Sequence, residues 1–211
     1  MDQLTEQPKT DRRCFVLTGG PGVGKTALLD HLESMGFATV REAARDVIHE
    51  QLQLDSDILP WRDQPAFQRH VLELQLEREL AAFGPVVFMD RGIPDGIAYL
   101  RAYRLSVFRI MLEHARDRYD GVFLIEPHGE YIDDGERRED AEEALMLHGV
   151  LKETYQDLGY ELISVPPMPV TCRSKFVIER IENIKTTTEM TESKGLEIRC
   201  NSLTVLPPGI S

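Results

Sequence analysis

Residues Gly19–Thr26 read GGPGVGKT and match, at every fixed position, the pattern GxxxxGK followed by Ser or Thr. Glycines let the backbone curl so that successive N–H groups face one anion, and a following helix adds an electropositive N-terminus. The lysine of such a loop reaches the β and γ phosphates, and the threonine hydroxyl ligates Mg²⁺. The stretch predicts a loop that binds a nucleoside triphosphate, with a purely structural glycine turn as the alternative. The predicted nucleotide-binding residues are Gly19, Gly20, Gly22, Val23, Gly24, Lys25, Thr26 and Ala27.

The apolar pattern on either side of this loop alternates short strands with longer helices. Strands are predicted over residues 14–17, 37–41, 86–89, 121–125 and 160–165. Helices are predicted from the loop to residue 35 and over residues 43–52, 67–83, 96–118 with a break near residue 105, 142–158 and 170–184. Residues 55–65 are predicted to form a loop because Pro60 and Pro65 interrupt them. Parallel strands need helical crossovers, so this order predicts an α/β fold: a three-layer α/β/α P-loop NTPase with a five-stranded parallel sheet and helices on both faces.

Length and charge limit the classes of protein to which this chain can belong. Its 211 residues suit one domain, placed at residues 12–185 between a disordered tail of residues 1–11 and a C-terminal tail or small appendage of residues 186–211. The 36 acidic residues against 24 basic ones give a net charge of −12, which opposes general binding of nucleic acid. A phosphate ligand must therefore be held by a few well-placed donors.

Cysteine usage and hydropathy indicate the compartment. The three cysteines, Cys14, Cys172 and Cys200, form no CxxC pair, and their odd number disfavours a disulfide framework. No stretch approaches the roughly 20 apolar residues that span a bilayer, and the first residues lack the apolar core of a signal peptide. The sequence predicts a cytoplasmic protein without a transmembrane segment.

A second motif, VVFMDRG at residues 86–92, places an acid at the end of the third strand. Asp90 can hold a Mg²⁺-bound water there, so Thr26 and Asp90 are the predicted metal-binding residues. Arg91 stands where motor-type ATPases usually carry a Glu that polarises water. An arginine cannot act as that base, but it can clamp an anionic group. The alternatives are an acid that caps the next turn for Asp90 and a surface ion pair for Arg91.

The second strand also ends in an acid, Glu42 of the stretch VREAARDV at residues 40–47. This strand should open onto the same edge of the sheet as the phosphate-binding loop. A carboxylate there is suited to accept a proton from a substrate hydroxyl or to orient it. Arg45, about one turn later, can hold a ribose or phosphate oxygen. The alternative is a helix N-terminal Glu placed for the dipole, with a routine i, i+3 arginine pair.

The segment YIDDGERRED at residues 131–140 lies between the fourth strand and the next helix. Arg137 and Arg138 are predicted to ride on a short lid that closes over the phosphates, offsets charge on the transferring group and excludes water. A solvated run of charges is the alternative. Asp133 and Asp134 offer carboxylates for a separate metal site, but adjacent acids point apart on most backbones, which disfavours one. The predicted catalytic residues are Lys25, Glu42, Asp90, Arg91, Arg137 and Arg138.

Two further regions are candidates for contacts to the substrates. The segment of residues 55–68, with Trp61 and Phe67, and the helix with Tyr99 and Tyr103 can shape an acceptor pocket. Core packing is the alternative for these aromatic residues. The stretch Pro166–Pro169 follows the fifth strand, where the base of a nucleotide commonly passes in α/β nucleotide folds.

Together these motifs resemble a known group. GGPGVGKT, EAAR, VVFMDRG, DDGERR and a strand that ends in VP before a helix are similar to the AAA-type predicted ATPase family related to the kinase domain of NadR, a nicotinamide riboside kinase. The resemblance covers about residues 13–184 and implies a nucleoside-kinase-like fold. The Asp90–Arg91 pair departs from the Asp-Glu of AAA machines, which disfavours hexameric remodelling activity.

The resemblance also implies roles for matching residues. It implies that the triphosphate and Mg²⁺ are bound by loop residues Gly22, Gly24, Lys25 and Thr26. It also implies that Glu42 and Asp90 flank the acceptor and that Arg137 and Arg138 belong to the lid. Some animal relatives are similar to GTP-binding trafficking proteins that touch acidic phospholipid.

The leading hypothesis is Mg²⁺-dependent transfer of the γ-phosphoryl group of ATP to the hydroxyl of a small molecule, of nucleoside or riboside type, whose identity the sequence does not give. A nucleotide-dependent switch or a simple NTPase, with ATP or GTP and acting through a partner, is the alternative. A homodimer or another protein partner is left open.

Overall fold

The computed structural model describes residues 12–127 and 141–184. The strands in these residues are β1 (Arg13–Thr18), β2 (Ala38–Val40), β3 (Val86–Asp90), β4 (Gly121–Ile125) and β5 (Leu162–Val165). The helices are α1 (Lys25–Ser34), α2 (Ala43–Gln53), α3 (Gln64–Ala81), α4 (Ile93–Ala102), α5 (Arg109–Ala115), α6 (Ala141–Asp157) and α7 (residues 170–184). Strands and helices therefore alternate as the sequence pattern predicts.

The five strands form one parallel sheet in the order β2-β3-β1-β4-β5. Strands β2 and β3 therefore lie on one side of β1, and β4 and β5 lie on the other. Leu17 near the end of β1 pairs with Asp90, and Val40 of β2 pairs with Met89. The carboxyl ends of β1, β2 and β3 consequently meet at one edge of the sheet, where α/β folds bind ligands.

Both faces of the sheet are apolar, which is why its strands read as continuous hydrophobic runs. On one face Phe15 packs against Phe88 and Phe123, with ring centroids 5.8 and 6.2 Å apart. On the other face Val16 and Met89 pack in a cluster with Tyr155 of helix α6. Helices cover both faces, so the predicted three-layer α/β/α fold is confirmed.

Several boundaries differ from the pattern. Helix α3 begins at Gln64, so Pro65 lies in its first turn and does not end the preceding loop as predicted. Proline is tolerated there because the first helical N–H groups have no partner within the helix. The break predicted near residue 105 is confirmed, because α4 ends at Ala102 and α5 begins at Arg109; the outer bounds differ, since α4 begins at Ile93 and α5 ends at Ala115.

The chain divides into two units, Met1–Ser174 and Lys175–Ser211. The sheet lies in the first unit, and residues 175–184 of the second are helical. The predicted domain limits at residues 11 and 185 stay a prediction. Among the helices described, none combines the length and the apolar character that a bilayer crossing requires.

Candidate functional site

The phosphate-binding loop lies between β1 and α1, and the side chain of Lys25 folds back to bond to the backbone of the loop. Gly24 precedes the helix at φ +85°, a left-handed conformation that glycine adopts without strain. Lys25 Nζ donates hydrogen bonds of 2.9 Å to the carbonyl oxygens of both Gly19 and Gly20. Burial, followed by the charge of Arg91, lowers the pKa of Lys25 to about 8. A phosphate oxygen entering the loop would give this ammonium a charged and stronger partner.

Thr26 and Asp90, the two predicted metal-binding residues, lie together. Thr26 Oγ1 donates to Asp90 Oδ2 over 2.8 Å, while Asp90 Oδ1 is buried with no hydrogen-bond partner among the described residues. Burial, which outweighs the opposing charge of Lys25, raises the pKa of the Asp90 carboxyl. A lone buried carboxylate oxygen beside a hydroxyl fits Mg²⁺, which takes one or two protein oxygens and keeps several waters. Larger clusters of His, Cys, Asp or Glu with metal-binding geometry do not occur within residues 12–127 and 141–184.

Arg91 forms the centre of an ion-pair cluster at the end of β3. Its backbone adopts φ +72°, an uncommon value for a residue other than glycine, and its N–H donates to Leu17 O over 3.0 Å. Its Nε donates to Glu42 Oε1 over 2.7 Å, and its Nη1 donates to Asp95 Oδ1 over 3.1 Å. Because only 13% of the Arg91 side chain is exposed, this is a buried ion pair and not the surface pair considered above.

Glu42 precedes helix α2 and faces two arginines. Besides Arg91, it accepts a hydrogen bond of 3.2 Å from Arg45 Nε, so the i, i+3 pair of the alternative hypothesis is also present. Burial alone would raise the pKa of Glu42, but Arg91 and Lys25 outweigh it and lower the pKa to about 2. The carboxylate thus stays ionised at neutral pH. So weak a base is better suited to orienting a hydroxyl than to retaining its proton.

Asp95 belongs to this cluster, although the sequence analysis did not single it out. Its Oδ1 accepts from Thr18 Oγ1 over 3.0 Å in addition to Arg91, and its Oδ2 accepts from Gly92 N–H over 3.0 Å and from Tyr155 Oη over 2.6 Å. Asp95 is the third residue of α4, where an acid satisfies free helix N–H groups. The spacing of glycine, proline and aspartate in RGIPD is the sequence signal that could have found it.

Replacing Asp95 by alanine (Asp95→Ala) is expected to lower the free energy of unfolding by about 3–5 kcal/mol, because Tyr155 would lose its buried partner and Arg91 one of its two carboxylates. Asp157→Ala is the matched control, since it breaks the exposed pair with Arg101 at 2.7 Å and should cost about 1 kcal/mol or less. Urea unfolding of both variants measures the difference. Equal losses would show that the Asp95 cluster contributes no more than a surface pair.

A cavity of about 840 Å³ opens beside the loop, between helices α2, α3 and α4. Glu42 and Arg91 lie at its wall, as do the aromatic rings of Phe67 and Tyr99. Gln64 and Gln68, one turn apart on α3, also line it; they are 7% and 4% exposed, and neither Oε1 has a hydrogen-bond partner in the described part of the chain. Unsatisfied buried amide oxygens are costly unless a ligand pairs with them. Gln64 and Gln68 fall in the segment of residues 55–68 predicted to shape the acceptor pocket, but their i, i+4 spacing on the buried face of α3 is a signal that its aromatic residues do not give.

The other predicted substrate contacts have mixed outcomes. Trp61 and Tyr103 do not line the cavity, and Tyr103 Oη instead donates to Glu143 over 2.8 Å. In the stretch Pro166–Pro169, Met168 O accepts from Arg173 Nε over 2.8 Å, and Arg173 Nη1 donates to the loop carbonyl of Val23 over 2.8 Å. This arginine therefore ties the predicted base-binding stretch to the phosphate-binding loop.

The predicted lid lies outside the described residues. Arg137, Arg138, Asp133 and Asp134 belong to residues 128–140, and their roles stay predictions.

A parallel sheet in this order, with a phosphate-binding loop after β1 and an acid at the end of β3, defines a P-loop protein with a kinase-like fold. A family model described as AAA domain matches residues 14–173, and the chain belongs to that family. Among the curated proteins, none gives a significant match.

Solved structures of P-loop kinases share the fold. The NadR protein in complex with NR has a TM-score of 0.62 and 19% sequence identity, covering 82% of this chain and 51% of that one; this chain thus spans about half its length. Deoxyadenosine kinase from M. mycoides, with products dCMP and dCDP, has a TM-score of 0.56 and 12% identity, covering 81% and 99%. Thymidylate kinase from Ehrlichia chaffeensis has a TM-score of 0.55 and 15% identity, covering 81% and 98%.

Proposed function

We propose that this protein is a small-molecule kinase that transfers the γ-phosphoryl group of ATP to the hydroxyl of a nucleoside or riboside. The observation that carries the proposal is the placement of Glu42. Its carboxylate is ionised, held by Arg91 at 2.7 Å, and lies in the wall of a large cavity that begins at the phosphate-binding loop. A hydroxyl in that cavity could therefore be oriented toward a phosphate in the loop.

The triphosphate would be bound by the backbone of residues 19–27 and by Lys25. Thr26 and Asp90 would hold Mg²⁺, which supplies charge neutralisation at the phosphates when bound. These groups recognise phosphates and not a base, so the same cradle suits ATP and GTP. ATP is our choice because the chain lacks an NKxD-type guanine-reading motif.

Transfer is favoured over hydrolysis by the residue that follows Asp90. A hydrolytic enzyme of this architecture needs a group that activates water, whereas Arg91 is a permanent cation bound to two carboxylates. In the proposed step the acceptor oxygen attacks the γ phosphorus, the bond to the bridging β–γ oxygen breaks, and ADP leaves. The hydroxyl proton departs to water or to the transferred phosphoryl group, because Glu42 is too weak a base to retain it.

The cavity favours an acceptor that carries a planar ring with amide-like edges and no phosphate of its own. Gln64 and Gln68 offer such an edge amide oxygens that have no hydrogen-bond partner within residues 12–127 and 141–184, and Phe67 and Tyr99 offer apolar faces to the ring. Arg91 is already neutralised, which disfavours it as a phosphate anchor. Two structural neighbours, the NadR protein in complex with NR and deoxyadenosine kinase with dCMP, agree with an acceptor of this class.

Replacing Gln68 by leucine (Gln68→Leu) is expected to raise the KM for the phosphoryl acceptor about tenfold, because a hydrogen-bond donor on the ring of that substrate would lose its partner. The KM for ATP should change by less than about twofold, since Gln68 lies on α3 and not in the phosphate-binding loop. Gln53→Leu at the end of α2 is the control. Steady-state kinetics with the two substrates varied in turn separate the two constants. Parallel changes in both KM values would contradict acceptor recognition by Gln68.

A screen of possible acceptors tests the proposed function. The protein is incubated with ATP and Mg²⁺ and with nucleosides, ribosides or sugars, and ADP and new phosphorylated products are measured by mass spectrometry. The proposal expects ADP formation that depends on one nucleoside-type compound and matches the phosphorylated product in amount. Steady phosphate release without any such product would instead indicate an NTPase, which is the competing hypothesis.

A further inference from the structure

One side chain far from the loop motif in sequence, that of His148 on helix α6, is hydrogen-bonded to the phosphate-binding loop. The backbone N–H of Gly20 donates to His148 Nδ1 over 3.3 Å. The approach is close, because a Cβ at Gly20 would lie only 2.7 Å from Ala144 O and 3.2 Å from His148 Cβ. Helix α6 therefore packs directly on the loop, and glycine at this position makes the contact possible.

The hydrogen bonds define the state of the imidazole ring. A backbone N–H can only donate, so Nδ1 must carry no proton and the ring proton must be on Nε2. That nitrogen lies 3.1 Å from Glu126 Oε2, and the other oxygen of Glu126 accepts from Ser164 Oγ over 2.7 Å. A chain of hydrogen bonds thus runs from β5, through the end of β4, to His148 and the loop.

We propose that neutral His148 is a positioning residue that holds the phosphate-binding loop in the conformation that accepts nucleotide. The inference rests on the proposed nucleotide binding, but it adds a group that the loop motif does not contain. His148 fixes the backbone at the second residue of the loop, while Lys25 and Arg173 bond to its carbonyl groups. The N–H groups that face the phosphates are thereby prearranged before nucleotide arrives.

Protonation of His148 would break this arrangement, because the new N–H on Nδ1 would face the N–H of Gly20. Within the described residues, the charged groups that act on the ring are Glu126 on the sheet side, Lys25 from the loop and Lys152 from its own helix. Burial, together with the two lysines, outweighs Glu126 and lowers the pKa of His148. The ring is therefore neutral at neutral pH and becomes charged only as the medium turns acidic.

Two substitutions separate a positioning role from a merely structural one. His148→Asn keeps an acceptor near the position of Nδ1 but cannot titrate, whereas His148→Leu fills the site without an acceptor. Glu153→Gln, at an exposed position of the same helix, is the control. Affinity for a fluorescent ATP analogue with Mg²⁺ is measured for the full chain at about pH 7.5 and at a second pH below the pKa of His148, which an NMR titration of the ring provides.

At the higher pH, His148→Leu is expected to bind about five- to tenfold more weakly than the wild type, and His148→Asn within about threefold of it. The ratio of wild-type to His148→Asn affinity should fall severalfold on acidification, because only the wild type loses its acceptor; protonation of the nucleotide itself cancels in that ratio. Wild-type affinity in His148→Leu, or a ratio independent of pH, would overturn the inference. A wild-type protein that binds no nucleotide at either pH would overturn the proposed function and the inference together.

Discussion

Nucleotide affinity or turnover is expected to fall by about 10²–10³-fold or more when Lys25 is replaced by alanine (Lys25→Ala). The ammonium group of Lys25 is buried within the phosphate-binding loop, where it donates hydrogen bonds to Gly19 O and Gly20 O. In a buried site the attraction between this cation and a triphosphate is screened far less than in water. Isothermal titration with ATP and Mg²⁺ measures the affinity, and ADP formation measures the turnover.

Lys175→Ala is the matched control for this variant, because Lys175 is exposed. It should leave affinity within about twofold of the wild type, since exposed charges are strongly screened by solvent. Urea unfolding of Lys25→Ala distinguishes a folded protein that cannot bind nucleotide from one that does not fold. Full activity in a folded Lys25→Ala protein would contradict the role assigned to the phosphate-binding loop.

The second large effect is expected at Glu42. Glu42→Gln should slow phosphoryl transfer about 10²-fold, because the neutral amide holds the acceptor hydroxyl less well in the reactive position than the carboxylate does. ATP affinity should stay within about threefold of the wild type, because the amide oxygen can still accept from Arg91 and the loop is unchanged. Single-turnover kinetics with saturating acceptor measure the transfer step, and titration measures the affinity.

Glu50→Gln provides the control on the same helix, at an exposed position outside the cavity. It should change neither quantity. A Glu42→Gln protein that loses ATP affinity and keeps its transfer rate would show instead that Glu42 positions the nucleotide or supports the fold. The pair of variants therefore tests whether Glu42 faces the acceptor.

The sheet and the loop could be predicted because their signals are local. Continuous apolar runs such as VVFM at residues 86–89 identify strands buried on both faces, and the fixed spacing of GGPGVGKT identifies the loop. The sequence also predicts that Glu42 and Asp90 lie at one edge of the sheet, because they follow or end the parallel strands β2 and β3, which are neighbours. The bond between Glu42 and Arg91 was not predicted, because it depends on the left-handed backbone of Arg91.

The rest of the site depends on side chains from distant parts of the chain. Asp95 bonds to Thr18 and Tyr155, which are 77 and 60 residues away, and no local pattern records such partners. The sequence pattern does not place Gln64 and Gln68 on one helix, because Pro65 marks a loop in that pattern, although the proline lies in the first turn of α3. Once that helix is extended, the two glutamines share a face.

The most direct test of the proposed kinase activity is to follow the γ-phosphoryl group itself. ATP labelled at the γ position is mixed with the protein, Mg²⁺ and the acceptor that the screen identifies, and the label is traced after a single turnover. The account predicts that the label appears on a hydroxyl of the acceptor in an amount equal to the ADP formed, and that Glu42→Gln slows this appearance. Label recovered only as inorganic phosphate, at a rate that does not depend on the acceptor, would contradict it.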